Sequence, residues 1–198
     1  MSDDKTLGVY AEQTEKYVEM MEAEAERDPV IDHFIAAIPT GGAVLDLGCA
    51  GGFMSEALAR RGATVTGIDP AAEAIAAARA HAGPLDITYD VGVGEALPYG
   101  DAAFDVVVCV DVLEHVRDLD RVLAEVARVL KPGGMFLFDT INRNPLARLA
   151  TITVAEDILR LLPKGTHDPA MFIKPAELRA GLARVGLEVG RLTGLGPR

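Results

Sequence analysis

Cysteine and basic residues are both scarce in this 198-residue chain: there are two Cys, and 19 Lys and Arg stand against 30 Asp and Glu. Cys49 and Cys109 make no disulfide framework, and a chain able to bury about 70% of its unfolded surface needs none. A reducing, cytoplasmic environment is the expectation. The formal charge of -11 repels phosphates, so no counterion release would drive general nucleic-acid binding, which is excluded. No stretch of 18 uninterrupted apolar residues occurs, and the opening MSDDKTLGVY lacks the apolar core of a signal peptide. Neither a membrane span nor export is expected. Low complexity is also missing, because 20 Gly and 11 Pro are spread along a chain that is 49% hydrophobic and 25% charged. With no linker and no repeat, residues 1–198 read as a single domain.

The charge is uneven. Residues 1–142 hold 10 basic and 25 acidic residues (-15), and residues 143–198 hold 9 and 5 (+4). The second segment is expected to face a different partner.

Helical composition marks N-terminal helices over residues 1–40, ending before Pro39-Thr40-Gly41-Gly42. Apolar runs rich in Val, Leu and Ile then alternate with helical runs. The strands are Ala43–Leu47, Ala63–Ile68, Asp86–Val91, Phe104–Val110, Met135–Asp139 and Leu187–Thr193, and helices fall at 52–61, 70–81, 118–130, 145–162 and 175–185. In 118–130, Asp118 stands at the cap, Leu119, Val122, Leu123, Val126 and Leu130 share one face, and Lys131-Pro132-Gly133-Gly134 follows as a stop. FDVVVCV and GMFLF are apolar on both faces, as burial between two helix layers demands. The expected fold is α/β, a doubly wound, mostly parallel Rossmann-like sheet with N-terminal helices and a core over residues 43–140.

Strand one ends in Val44-Leu45-Asp46-Leu47-Gly48-Cys49-Ala50-Gly51-Gly52 and runs straight into a helix. Glycines there let a ligand approach the backbone, and the helix start offers free amides. Strand two ends at Asp69, where an acid can accept from both ribose hydroxyls of an adenosine group, although Asp69 could instead cap the next helix. Asp46, two residues before Gly48, would oppose a pyrophosphate and suits the ammonium and sulfonium of S-adenosylmethionine. After strand four, Asp111-Val112-Leu113-Glu114-His115 would bring two carboxylates and an imidazole to one side of a helical turn. They could hold a divalent ion, His115 could be a general base, or Glu114 and His115 could only shape the loop.

VLDLGCAGG, GIDP, GEALPYGDAAFDVVVCVDVLEHV and LKPGG, in this order and spacing, resemble the class I S-adenosylmethionine-dependent methyltransferases. That resemblance implies cofactor contacts at Asp46, Gly48, Cys49, Ala50, Gly52, Asp69 and Val110, with Val93, Gly94 and Glu95 beside adenine. Ala50 replaces the family's usual loop glycine, and Val93 replaces an adenine-binding Asp. Asn142-Arg143-Asn144 and AEDILRLLPKGTHDPAMFIKPAEL are similar to the ubiquinone-biosynthesis O-methyltransferase subfamily, which methylates polyprenylated catechols. This likeness implies a small hydrophobic aromatic acceptor, catalytic Glu114 and His115, and a divalent metal such as Mg²⁺ held by Asp111, Glu114 and His115. It also implies that residues 141–185 form a substrate- or membrane-facing insertion. The paired tryptophans usual in the subfamily's N-terminal region are absent here. The family's fold adds a strand after Leu187–Thr193, so either the C-terminus is truncated or that sheet edge is exposed.

Pro145–Leu162 has an arc of more than 120° free of charge on a helical projection, in the one segment with a basic excess. It fits an interfacial helix on the inner face of a membrane and equally a helix packed on the sheet or on a dimer partner. Three functions remain open on the sequence: a metal-assisted O-methyltransferase of catechols, a metal-free methyltransferase of another small acceptor, and a non-catalytic adenosyl-ligand-binding protein.

Overall fold

The structure is a computed structural model that describes residues 36–149, 151–152 and 166–194. Residues 1–35 of the N-terminal helices expected over 1–40, most of Pro145–Leu162, and Lys164 and Gly165 lie outside the described residues, whereas 36–37 are helical.

Five strands, β1 (Ala43–Leu47), β2 (Thr64–Asp69), β3 (Ile87–Val91), β4 (Phe104–Cys109) and β5 (Leu130–Phe138), form one sheet in the order β3-β2-β1-β4-β5. Every pairing is parallel, so the sheet is wholly rather than mostly parallel over the described residues. The helices are α1 (Phe53–Arg60), α2 (Ala72–His81), α3 (Leu119–Val129), α4 (Pro145–Arg148) and α5 (Pro175–Arg184), with a 3-10 turn at Leu113–His115. Successive strand residues face opposite sides. Leu45, Leu47, Val107 and Cys109 therefore pack with Val122, Leu123 and Val126 of α3 and with Leu178 and Leu182 of α5. Val44, Val106 and Val108 turn the other way, towards Leu58 of α1. This is why VVVC has no polar face.

The Asp118 side chain accepts from the Arg121 N–H at 3.0 Å, the cap that the sequence predicts for α3. The strand after it begins earlier than expected. Phe104 pairs with Leu130 but Val106 pairs with Met135, so Lys131–Gly134 bulges out within β5, held by Lys131 Nζ at 2.9 Å from Asp105. Residues 187–193 form no strand, against expectation. A strand needs a ladder partner, and the described residues supply none. Leu187 and Val189 instead pack as single side chains on the core.

The chain crosses from β3 to β4 between the two halves of the sheet, which puts the switch point between β1 and β4. Open parallel sheets bind ligands at the carboxyl ends there. The β3–β4 connection is tied down: Arg128 of α3 donates to Tyr99 O at 2.7 Å and Leu97 O at 3.0 Å, and the Leu97 N–H donates to buried Glu125 Oε2 at 2.8 Å.

Candidate active site

The loop leaving β1 is a cradle of backbone. Gly48 and Cys49 N–H both donate to Ile68 O, at 2.8 and 3.1 Å, which pins the loop to β2. Gly48 (φ 78°), Ala50 (φ 43°) and Gly52 (φ 87°) are all left-handed. A Cβ on Gly48 would strike Val112, and one on Gly52 would run into the Tyr89 hydroxyl and lie 3.0 Å from Ala78 Cβ. Glycine is therefore required at both places for space as well as for φ. Ala50 adopts its conformation without that freedom, at a cost of about 1–2 kcal/mol.

Asp69 ends β2 half-buried and faces this loop. Its Oδ2 accepts from the Ala50 N–H at 3.0 Å, and its Oδ1 accepts from the Ala71 N–H at 2.8 Å, which holds the turn before α2 without capping the helix, whose N-cap is Ala71 with no side-chain cap bond. Burial raises its pKa and these two bonds oppose the rise. Each carboxylate oxygen still has a lone pair for a ligand. Asp46 is buried, with Oδ2 accepting from Ser55 Oγ at 2.6 Å. Desolvation pushes its pKa up to about 6, against the Ser55 bond, and nearby Asp69 adds to the rise. Cys49 is a buried free thiol whose pKa is raised by burial and by Asp46 and Asp69. On the other side, Gly94 lies against Leu47 and Val122, the Ala96 N–H donates to Val93 O, and Glu95 O accepts from Arg121 Nε. Val110 is half-buried beside the cluster of Val106 and Val108. A backbone cradle, an acid at each of the first two strand ends and a tethered third loop fit a cationic adenosyl ligand.

The DVLEH segment departs from its predicted geometry. Asp111 is exposed with φ 53°, its N–H donating to Asp139 Oδ1 at 2.7 Å, and the following turn is a 3-10 turn of three residues. Glu114 and His115 are 1% and 5% exposed. The left-handed residue breaks the α-helical i, i+3, i+4 face on which the three were to meet. No three His, Cys, Asp or Glu side chains come together as a metal-holding group among the described residues, so Asp111, Glu114 and His115 do not fit the metal site that the resemblance implied. Glu114 Oε2 accepts from Thr140 Oγ1 at 3.0 Å, whereas Oε1 is buried without a hydrogen-bond partner among the described residues. Burial pushes the Glu114 pKa up to about 7. The His115 ring lies 5.2 Å from that of His167.

Two partners lay beyond sequence reasoning. Thr140 and His167 reach Glu114 and His115 only through the fold. Ser55, three residues after Gly52, carried a weak signal, being a hydroxyl in the first turn of a loop-facing helix.

The methyltransferase domain family matches residues 45–138. The ubiquinone biosynthesis O-methyltransferase of Pseudomonas entomophila is 49% identical over 158 residues, which are 78% of this chain and 68% of that protein. The chain belongs to the class I S-adenosylmethionine-dependent methyltransferases. A protein of the same name from Thiobacillus denitrificans is 48% identical over the same shares of both chains. Among solved structures, the complex of the Haloferax volcanii Trm112 methyltransferase activator with a methyltransferase gives a TM-score of 0.73 at 25% identity, covering 96% of this chain and 80% of that one. This methyltransferase has no helix among its described residues that is long and apolar enough to cross a membrane.

Proposed function

We propose that this methyltransferase acts on a hydroxyl of a small aromatic acceptor, a catechol or quinol with a hydrophobic tail. The observation that carries the reading is the burial of Glu114 and His115, neighbours in the turn after β4, which meets the cofactor loop through Val112 close against Gly48. The names of the half-identical relatives agree with it.

S-adenosylmethionine supplies a methyl group that is already electrophilic on its sulfonium. The chain's own work is then to bind, align and deprotonate. Gly48, Cys49, Ala50 and Gly52 frame the cofactor along the backbone, Asp69 accepts from its ribose, and Val93, Gly94, Glu95 and Val110 line its adenine side. Asp46 faces its positive end. His115 takes the proton of the acceptor hydroxyl as the oxygen–methyl bond forms and the sulfur keeps the electron pair of the broken carbon–sulfur bond. His115 then returns that proton to solvent. Glu114 steadies the imidazolium so formed. No step passes through a metal.

Two measurements test the cofactor end. Asp69→Ala should weaken S-adenosylhomocysteine binding by about 1.5 to 3 kcal/mol in calorimetry, the worth of charged hydrogen bonds. Unchanged affinity in the folded variant would remove Asp69 from the site. Asp46 gives a pH signature. Its pKa near 6 in the empty protein falls when a cation docks beside it, so binding S-adenosylmethionine below pH 6 releases a proton, and affinity rises from pH 5 to 7 and then levels. Calorimetry in buffers of different ionisation enthalpy reads that proton directly. Affinity flat across this range would separate Asp46 from the cofactor's charge.

Transfer of labelled methyl to a set of tailed and untailed catechols tests the whole reading, and no product with any of them overturns it. The tail brings the membrane into the proposal. Leu146 and Leu149 are 73% and 51% exposed at α4, where the basic excess begins, and this supports peripheral contact with an anionic surface. Leu146→Glu should reduce co-sedimentation with anionic liposomes at low salt, and an intact protein that never co-sediments would exclude such contact.

A further inference from the structure

Asp46, the acid proposed for the cofactor's positive end, shares a face of β1 with Val44, which turns towards α1. In the register it stands between Gly67 of β2 and Val108 of β4, and neither has a polar side chain to offer it. Ser55 supplies what they lack. It lies in the first turn of α1, three residues after left-handed Gly52, and is 0% exposed against 3% for Asp46. A serine inside a helix commonly turns its hydroxyl on its own backbone. This one reaches across the cradle, its Oγ donating to Asp46 Oδ2 at 2.6 Å. Its backbone amide bonds the same carboxylate, and both bonds oppose the rise in pKa that burial imposes. The other ionisable groups around Asp46 do not oppose it. Asp69 at the end of β2 adds to the rise, and Cys49 of the loop, Cys109 of β4 and Tyr89 of β3 are held neutral, chiefly by burial. Glu56, next to Ser55 on α1, is taken up by Arg60 and His81, each at 2.6 Å.

We propose that Ser55 is a positioning residue for the cofactor, its hydroxyl fixing the Asp46 carboxylate in the orientation that meets the cationic end of S-adenosylmethionine. This rests on the reading of Asp46 as the cofactor's acid. A carboxylate accepts at about four lone-pair sites, so the two bonds from Ser55 leave others for the ammonium. A carboxylate held in place before the ligand arrives loses less freedom when it docks. Without Ser55, Asp46 is a buried acid short of its side-chain donor, and it either turns away or takes up a proton. Both changes weaken the charge that the cofactor meets. The adenosine half is untouched, because its proposed contacts come from Asp69 and the β3–β4 connection. The role of Ser55 therefore belongs to the charged arm of the cofactor alone.

Ser55→Ala, Asp46→Asn and the double variant of the full chain are compared by calorimetry with two ligands, S-adenosylmethionine and 5′-methylthioadenosine, which has the adenosine but no charged arm. Ser55→Ala should weaken S-adenosylmethionine binding about fivefold to fiftyfold at pH 7, the loss of a hydrogen bond to a charged group, and leave 5′-methylthioadenosine within about twofold. The pH at which S-adenosylmethionine affinity reaches half its plateau should rise by about half a unit to one unit, because a bond that opposed protonation of Asp46 is gone. In the Asp46→Asn background Ser55→Ala should cost no more than about threefold, since the partner it serves is already neutral. Ser55→Cys keeps a side chain of similar size with a weak donor, so it should lose affinity as the alanine does, and it carries the comparison if Ser55→Ala does not fold. Equal losses with both ligands, an unmoved pH midpoint, or the same loss in the Asp46→Asn background would overturn the proposal, because Ser55 would then serve only the packing of α1. If Asp46→Asn binds S-adenosylmethionine as the unaltered protein does, the reading of Asp46 as the cofactor's acid fails. If Asp46→Asn loses affinity while Ser55→Ala keeps it, only the positioning role fails.

Discussion

Removal of the His115 imidazole, in His115→Ala, is expected to lower turnover by about 10²- to 10⁴-fold, the usual contribution of a positioned general base. S-adenosylhomocysteine should bind as before, because every cofactor contact proposed above comes from other residues. The size of the effect follows from the setting. His115 is almost wholly buried next to Glu114, whose free Oε1 has no hydrogen-bond partner among the described residues. Water can replace a base at an open surface far better than in such a place. Retained turnover with catechols would dismiss His115 as base and leave the acceptor's hydroxyl to ionise unaided. A parallel loss of cofactor affinity would point instead to a collapsed DVLEH turn, and Val112 against Gly48 is the contact through which that collapse would travel.

Gly52→Ala carries the largest expected cost to the fold itself. Left-handed backbone at φ 87° costs a residue with a Cβ about 1–2 kcal/mol, and forcing that carbon against the Tyr89 hydroxyl and Ala78 adds about 1–3 kcal/mol of overpacking. Relief would require Tyr89 to leave its place under the loop, where its hydroxyl lies 3.4 Å from Gly52 O. Gly133→Ala is the matched control. Gly133 also has a positive φ, of 79°, but nothing lies within 4 Å of the place where its Cβ would sit. Thermal or urea denaturation should therefore show Gly52→Ala losing about twice as much stability as Gly133→Ala, and only Gly52→Ala should also lose cofactor affinity. Equal losses would show that φ alone matters and that the cradle has room.

These two positions also show what the sequence makes legible. The central strands are readable because burial on both faces leaves VLDL and FDVVVC little polar alternation, and Gly52 is readable because it stands between a strand and a helix. Asp69 is readable for the same positional reason. Legibility ends where backbone conformation departs from a regular period. The common face of Asp111, Glu114 and His115 assumes an α-turn, and a left-handed Asp111 followed by a 3-10 turn cancels it. Leu187–Thr193 has the composition of a strand, but pairing is a property of two segments, and composition describes one. Thr140 with Glu114, and His167 with His115, are contacts 26 and 52 positions apart in the numbering, and no local pattern announces them.

The guanidinium of Arg128, gripping Tyr99 O and Leu97 O while Glu125 holds the Leu97 amide, has a further meaning for how the cofactor arrives. Those bonds make the wall beside the proposed adenine site part of α3, and α3 is buried in the main core. The Leu97 amide is then expected to exchange its hydrogen only when the core itself opens, so the wall of the proposed adenine site stands ready in the empty protein. No ordering entropy is spent on that side when the cofactor docks. Whatever slow rearrangement accompanies loading belongs to the opposite end of the crevice, where methyl and acceptor meet.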